Sequence, residues 1–172
     1  MFGRSVAVCL LLLVANVGAN AQSVPDDRDH GWLTGVLLGL PGYKGEVEPR
    51  LFTIGAQFTR VRKGQPGADL AIGMMPYAVS AGVIAIGMRA GVTVPLAPAP
   101  RLLVLPSVGA SLIGAAGPGG GAGTGGANVG LATVLLATPS FGLRTGVTFH
   151  GFTDVRGALW LAEVGFVTLS KP

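Results

Sequence analysis

The chain has 172 residues, of which only 12% are charged and 29 are glycine, with a formal net charge of +4 and a mean hydropathy of +0.60. High hydropathy with few charges and much glycine fits a membrane protein better than a soluble one. The small basic excess forms no Lys/Arg stripe interleaved with aromatics, which argues against a nucleic-acid partner.

The N-terminus has the three-part layout of a secretory signal: Arg4, an apolar run from Val6 to Val14, and Ala19-Asn20-Ala21 as a cleavage site. The apolar run is too short to anchor the chain across a bilayer. Export with cleavage after Ala21 is therefore expected, giving a signal peptide over 1–21, a polar lead-in over 22–30 and one domain over 31–172. Cleavage removes Arg4 and the single cysteine, Cys9, leaving 172 − 21 = 151 residues with a net charge of +3. Disulfides and cysteine-ligated zinc or iron–sulfur centres are then excluded, and 151 residues suffice for one domain.

Beyond the lead-in the hydropathy period is two. Phe52, Ile54, Ala56 and Phe58 share one face, opposite Thr53, Gly55, Gln57 and Thr59. Leu70, Ile72 and Met74 oppose Asp69, Ala71 and Gly73, and over 82–94 the even positions Ile84 to Val94 oppose Val83, Ala85, Gly87, Arg89, Gly91 and Thr93. Late in the chain Leu143, Thr145, Val147 and Phe149 oppose Arg144, Gly146, Thr148 and His150. Trp160, Ala162, Val164, Phe166 and Thr168 then oppose Glu163 and Gly165. Weaker strands over 32–39, 102–113 and 128–137 carry apolar residues on both faces, so their orientation stays open.

Eight strands result, and an even count returns both ends of a single-chain barrel to one side of the membrane. The prolines of Ala97-Pro98-Ala99-Pro100 and Thr138-Pro139-Ser140 read as tight periplasmic turns. The stretch 41–49 and the glycine run 117–126 take the places of longer outer loops. Pro106 removes a ladder hydrogen bond, so a bulge is expected there.

Sheet persists in lipid only as a closed barrel with an apolar exterior, and the apolar parities above hold no charge. Gln57, Asp69, Arg89, Arg144, His150 and Glu163 fall on the opposite parity, among small residues that suit a narrow interior. These six are expected to form a polar network that plugs the lumen. The expected fold is thus all-β, an eight-stranded antiparallel up-and-down transmembrane β-barrel. A soluble lipocalin-like ligand-binding barrel alternates in the same way but would carry its charges outside.

Over residues 31–169 this pattern resembles small eight-stranded bacterial outer-membrane β-barrel proteins. The resemblance implies an outer-membrane location, a lipid surround, the barrel-assembly machinery as a partner, and a structural or interaction role without enzymatic activity. Such chains usually end on an aromatic residue, whereas this one ends Leu169-Ser170-Lys171-Pro172.

Chemical motifs are few. Gly121 to Gly126 matches G-x-G-x-x-G, but no strand–helix context or acid about 20 residues later supports a dinucleotide site, so a flexible loop is expected and no cofactor. Ser80 sits in a poor match to a nucleophile elbow and reads as a loop residue. His30 and His150 lack metal-ligand spacing. His150 and Glu163 are placed like the base and acid of outer-membrane lipid A deacylases, which makes a lipid-modifying enzyme the alternative. The matching serine position is Phe152, which leaves such a triad without its nucleophile.

Overall fold

The computed structural model describes residues 30–43, 46–47, 52–62, 65–153 and 158–170. The expected signal peptide and lead-in lie outside these, apart from His30. Ten strands follow in order: β1 (His30–Tyr43), β2 (Glu46–Val47), β3 (Thr53–Arg62), β4 (Gly67–Met74), β5 (Ile84–Thr93), β6 (Leu96–Ala99), β7 (Leu102–Gly117), β8 (Gly120–Leu136), β9 (Phe141–Phe152) and β10 (Ala158–Ser170). A one-turn helix, α1 (Pro76–Ser80), joins β4 to β5. The short β2 and β6 pair only with β1 and β7, and the other eight strands are those read from the alternation.

Each of the eight pairs antiparallel with its neighbours in the order β1-β3-β4-β5-β7-β8-β9-β10, and β10 pairs back onto β1 from Ser170↔Trp32 to Leu159↔Tyr43. The sheet is a closed up-and-down barrel without a free long edge. Following paired residues once around the circuit gives its stagger. Leu33 faces Thr59, then Asp69, Gly91, Gly109, Asn128, His150, Leu159 and finally Tyr43. The return lands 43 − 33 = 10 residues along β1. With eight strands, a stagger of ten residues tilts them by about 40° to the barrel axis for ordinary strand rise and spacing.

The parity read for β3, β4, β5, β9 and β10 holds. Phe58, Ile72, Ile84, Ile86, Phe149 and Phe166 are exposed on the outside, whereas Asp69, Arg89, Arg144 and Glu163 are buried inside. The structure also orients the three weaker strands. In β1, Val36 and Leu38 face out while Leu33 and Leu37 face in; in β7, Val108 and Leu112 face out and Leu105 and Ser111 in; in β8, Val129 and Leu135 face out and Asn128 and Val134 in.

Four expectations change. The glycine run is strand, not loop: residues 120–126 extend β8 and pair with β7 up to Gly117↔Gly120, where Gly120 takes φ +121° to turn the chain. Glycine carries no alternating hydropathy, so a two-residue period cannot show through it, yet its backbone pairs like any other. β7 has no bulge at Pro106, which keeps register with Leu131. Its carbonyl accepts from Val94 N and Thr93 Oγ1 at the very end of the β5–β7 ladder, where a missing N–H costs little; the register shift lies in β6 instead. That same β6 occupies Leu96–Ala99, so the proline-rich stretch is not a bare turn. Ser80 ends α1 and its hydroxyl donates to the Tyr77 carbonyl.

The turn over 137–140 is tight, as expected. Ala137 N and Thr138 N both donate to the Phe141 carbonyl, and Phe141 N donates back to Thr138 Oγ1. On the exterior the few hydroxyls find partners across strands: Thr34 with Thr168 at 2.9 Å and Thr133 with Thr145 at 3.0 Å. Phe141 and Phe166 stack at 5.8 Å, and a Cβ on Gly42 would strike the Trp160 ring, so that ring lies over bare backbone.

Candidate functional site: the barrel lumen

The interior divides by height because inward side chains from all eight strands must share one narrow space. Near the end that holds His30 and Ser170, an apolar plug forms from Leu33, Val61, Leu105, Ala132, Val134, Leu136 and Val167. Leu33 and Val134 are wholly buried. Sequence alternation could not show this plug, because it places apolar residues on the inward parity of strands whose outward parity is apolar too.

At mid-height the inward charges meet. Arg89 Nη1 donates to both Glu163 oxygens, at 2.9 and 2.8 Å, and to Thr148 Oγ1 at 3.1 Å. Arg144 Nη1 donates to Glu163 Oε2 at 3.1 Å. On the other flank Arg89 Nε lies 3.9 Å from Asp69 Oδ2. Asp69 Oδ1 accepts from Thr59 Oγ1 at 2.6 Å and Gln57 Nε2 at 3.1 Å, and Gln57 Nε2 also reaches Thr59 Oγ1. Two acids and two bases make this cluster neutral, which a low-dielectric interior requires of charges that cannot reach water. Gln57 Oε1, Arg89 Nη2 and Arg144 Nε are buried without a hydrogen-bond partner.

Of the six residues singled out from the sequence, five therefore belong to one connected network: Gln57, Asp69, Arg89, Arg144 and Glu163. His150 sits apart from it. Its Nδ1 is 2.8 Å from Ser111 Oγ, which accepts from Asn128 Nδ2 at 2.8 Å, and its ring stacks on Phe152 at 5.8 Å and 1°. Ser111, Asn128, Thr59 and Thr148 were missed as network members. The signal was present for two of them: choosing the parity that carries Ser107 and Ser111, and that of Asn128, would have oriented β7 and β8.

The Ser111–His150 contact has the spacing of a nucleophile and its base. It lacks the rest of that machinery. Glu163 is held by two guanidiniums and makes no hydrogen bond to His150, while Ser111 Oγ is occupied by the Asn128 amide. All three side chains are buried in the lumen, turned away from the lipid-facing side of the wall. Gly121 to Gly126 is strand throughout, with no helix after it to receive a phosphate. Among the described residues no cluster of His, Cys, Asp and Glu could hold a metal ion, and no helix is long and apolar enough to cross a membrane.

An outward apolar belt around an inward, paired ionic core defines the class: a closed eight-stranded β-barrel of outer-membrane type. A water-soluble carrier reverses that arrangement, whereas here Val36, Phe58, Ile72, Ile86, Leu112 and Phe166 are all exposed on the outside. Solved structures of similar architecture include outer-membrane barrels. The N-terminal β-barrel domain of Pseudomonas aeruginosa OprF is similar at a TM-score of 0.60 and 12% identity, over 80% of this chain and 97% of that one. The outer membrane protein OprG from Pseudomonas aeruginosa is similar at 0.58 and 7%, over 85% and 98%. Ail, the attachment invasion locus protein of Yersinia pestis, is similar at 0.56 and 11%, over 82% and 97%. No protein-family profile and no curated protein sequence matches the chain.

Proposed function

We propose that the protein is an outer-membrane β-barrel of structural or interaction type, exported by its N-terminal signal and inserted by the barrel-assembly machinery, with outer-membrane lipid as its surround. The observation that carries this reading is the division of the wall: outward side chains apolar, the inward charges gathered into one neutral cluster above an apolar plug. A lumen filled in this way favours a closed scaffold over an open aqueous channel.

The reading includes no enzymatic role. The position two residues beyond His150 is occupied by Phe152, which stacks on the imidazole, and Glu163 serves the arginines. The structural neighbours, one of them described as an attachment protein, support a scaffold that works through what it presents at the surface.

Fractionation tests the location. The protein should partition with detergent-extracted outer membranes and migrate faster on gels before heating than after; release into plain buffer overturns the reading. Substituting His150→Ala and profiling lipid A acylation tests the non-enzymatic part, where an unchanged profile is expected and a loss of deacylated species overturns it.

A further inference from the structure

Above the ionic cluster, in the half of the lumen away from the apolar plug, lies a cavity of about 80 Å³. One wall is largely bare backbone, because besides Arg89 the inward positions of β4 and β5 that line it are Ala71, Gly73 and Gly87. Ile113, the ladder partner of Gly87, flanks them, Leu37 and Leu161 also line the space, and the Arg89–Glu163 pair closes the floor.

The glycines of that wall are of two kinds. At Gly55, on the neighbouring β3, an added Cβ would meet the Ile72 carbonyl oxygen at 2.6 Å, so the close approach of β3 and β4 explains that residue. At Gly87 a Cβ would find nothing nearer than Ile113 Cγ1 at 3.9 Å, and at Gly73 nothing nearer than 3.5 Å. Neither has a positive φ. Backbone geometry and strand packing do not demand glycine at 73 and 87, and glycine inside a strand is otherwise unfavourable. What these two positions provide is room.

We propose that this room is a binding pocket for a small, uncharged, largely apolar molecule. Water fits it poorly. A buried water needs two to four polar partners, while among the lining residues Ser111 and His150 are bonded to each other and Arg89 Nη1 is paired with Glu163, which leaves Arg89 Nη2 as the one buried polar atom without a partner. A charged ligand fits it poorly too, since the cluster beneath is neutral and a further charge would be buried without a counter-ion. Size sets the rest: an engineered apolar cavity of roughly 150 Å³ admits benzene, so a pocket about half as large takes a molecule of a few heavy atoms. This goes beyond the structural reading, which needs only a closed barrel.

Xenon is the probe. In protein refolded into lipid nanodiscs with labelled methyl groups, the methyl shifts of Leu37, Ile113 and Leu161 are followed against xenon pressure, with the outward Ile54 and Ile84 reporting dissolution in the surrounding lipid. Saturating shifts at the three inward residues and linear ones at the two outward residues are expected, with acetate producing neither. Gly87→Val should weaken the saturable uptake at least tenfold while keeping the fast-migrating unheated band that reports a folded barrel. If that variant does not fold, Gly73→Ala with Gly87→Ala is read in the same way. Linear shifts at all five residues, or undiminished uptake in the filled variant, overturns the pocket and leaves the barrel reading untouched.

Discussion

Arg89 on β5 and Glu163 on β10 join strands that are four places apart in either direction around the barrel, so their ion pair at 2.8 Å crosses the full diameter of the lumen. Among the described residues no other ion pair links opposite walls. The pair ties the two halves of the sheet together at mid-height, with Arg144 and Thr148 bracing it from β9.

Glu163→Gln should therefore destabilise the barrel by about 3–5 kcal/mol, the cost of leaving a buried partner unpaired. Here two guanidiniums lose the same carboxylate. Urea unfolding in lipid vesicles followed by the fluorescence of Trp32 and Trp160 measures it, and a change below 1 kcal/mol would contradict a supporting role for the cluster.

Leu33→Ala removes a wholly buried side chain from the apolar plug and should cost about 2–5 kcal/mol, transfer and cavity contributions together. The same unfolding assay applies. Because Leu33 pairs directly with Thr59, whose hydroxyl donates to Asp69 of the ionic cluster, its effect should couple to that of Glu163→Gln, and a double-mutant cycle that departs from additivity checks this.

Val36→Arg places a charge on the outside of β1 near its middle, where Val36 is 61% exposed. It should cost about 2–4 kcal/mol if that surface meets hydrocarbon near the bilayer midplane. Arg60, already outward and exposed at the end of β3 near Trp32, should by contrast tolerate replacement by Ala with little change. Equal and small effects at both positions would mean the exterior is wet.

Gly109→Ala should block assembly, since the new Cβ would clash with the Ala90 carbonyl oxygen and sit 2.6 Å from Gly91 Cα. Gly119→Ala, in the turn between β7 and β8 with nothing within 4 Å, should not. Loss of the fast-migrating unheated band in the first variant and its retention in the second is the readout.

The strands that were legible in the sequence are those whose two faces differ chemically. β3, β4, β5, β9 and β10 alternate large apolar residues with small, polar or charged ones, and that alternation alone fixed which side meets lipid. β1, β7 and β8 were found but not oriented, because the lumen is partly apolar: Leu33, Leu105 and Val134 belong inside, next to outward Val36, Val108 and Leu135. The identity of the charged side chains of the cluster was also legible, but not who meets whom. Pairing across the lumen depends on the stagger of ten residues, a property of the whole circuit that no local pattern encodes. Ser111 reaches His150 for the same reason, from a strand 39 residues earlier.

Closure of β10 onto β1 from Trp32↔Ser170 to Tyr43↔Leu159 makes this seam a ladder like any of the other seven. Chain order is then incidental to the sheet. A circular permutant opened at Pro139, with a short linker bridging Ser170 and His30, would keep every hydrogen-bonded neighbour, since both junctions lie at the same rim of the cylinder.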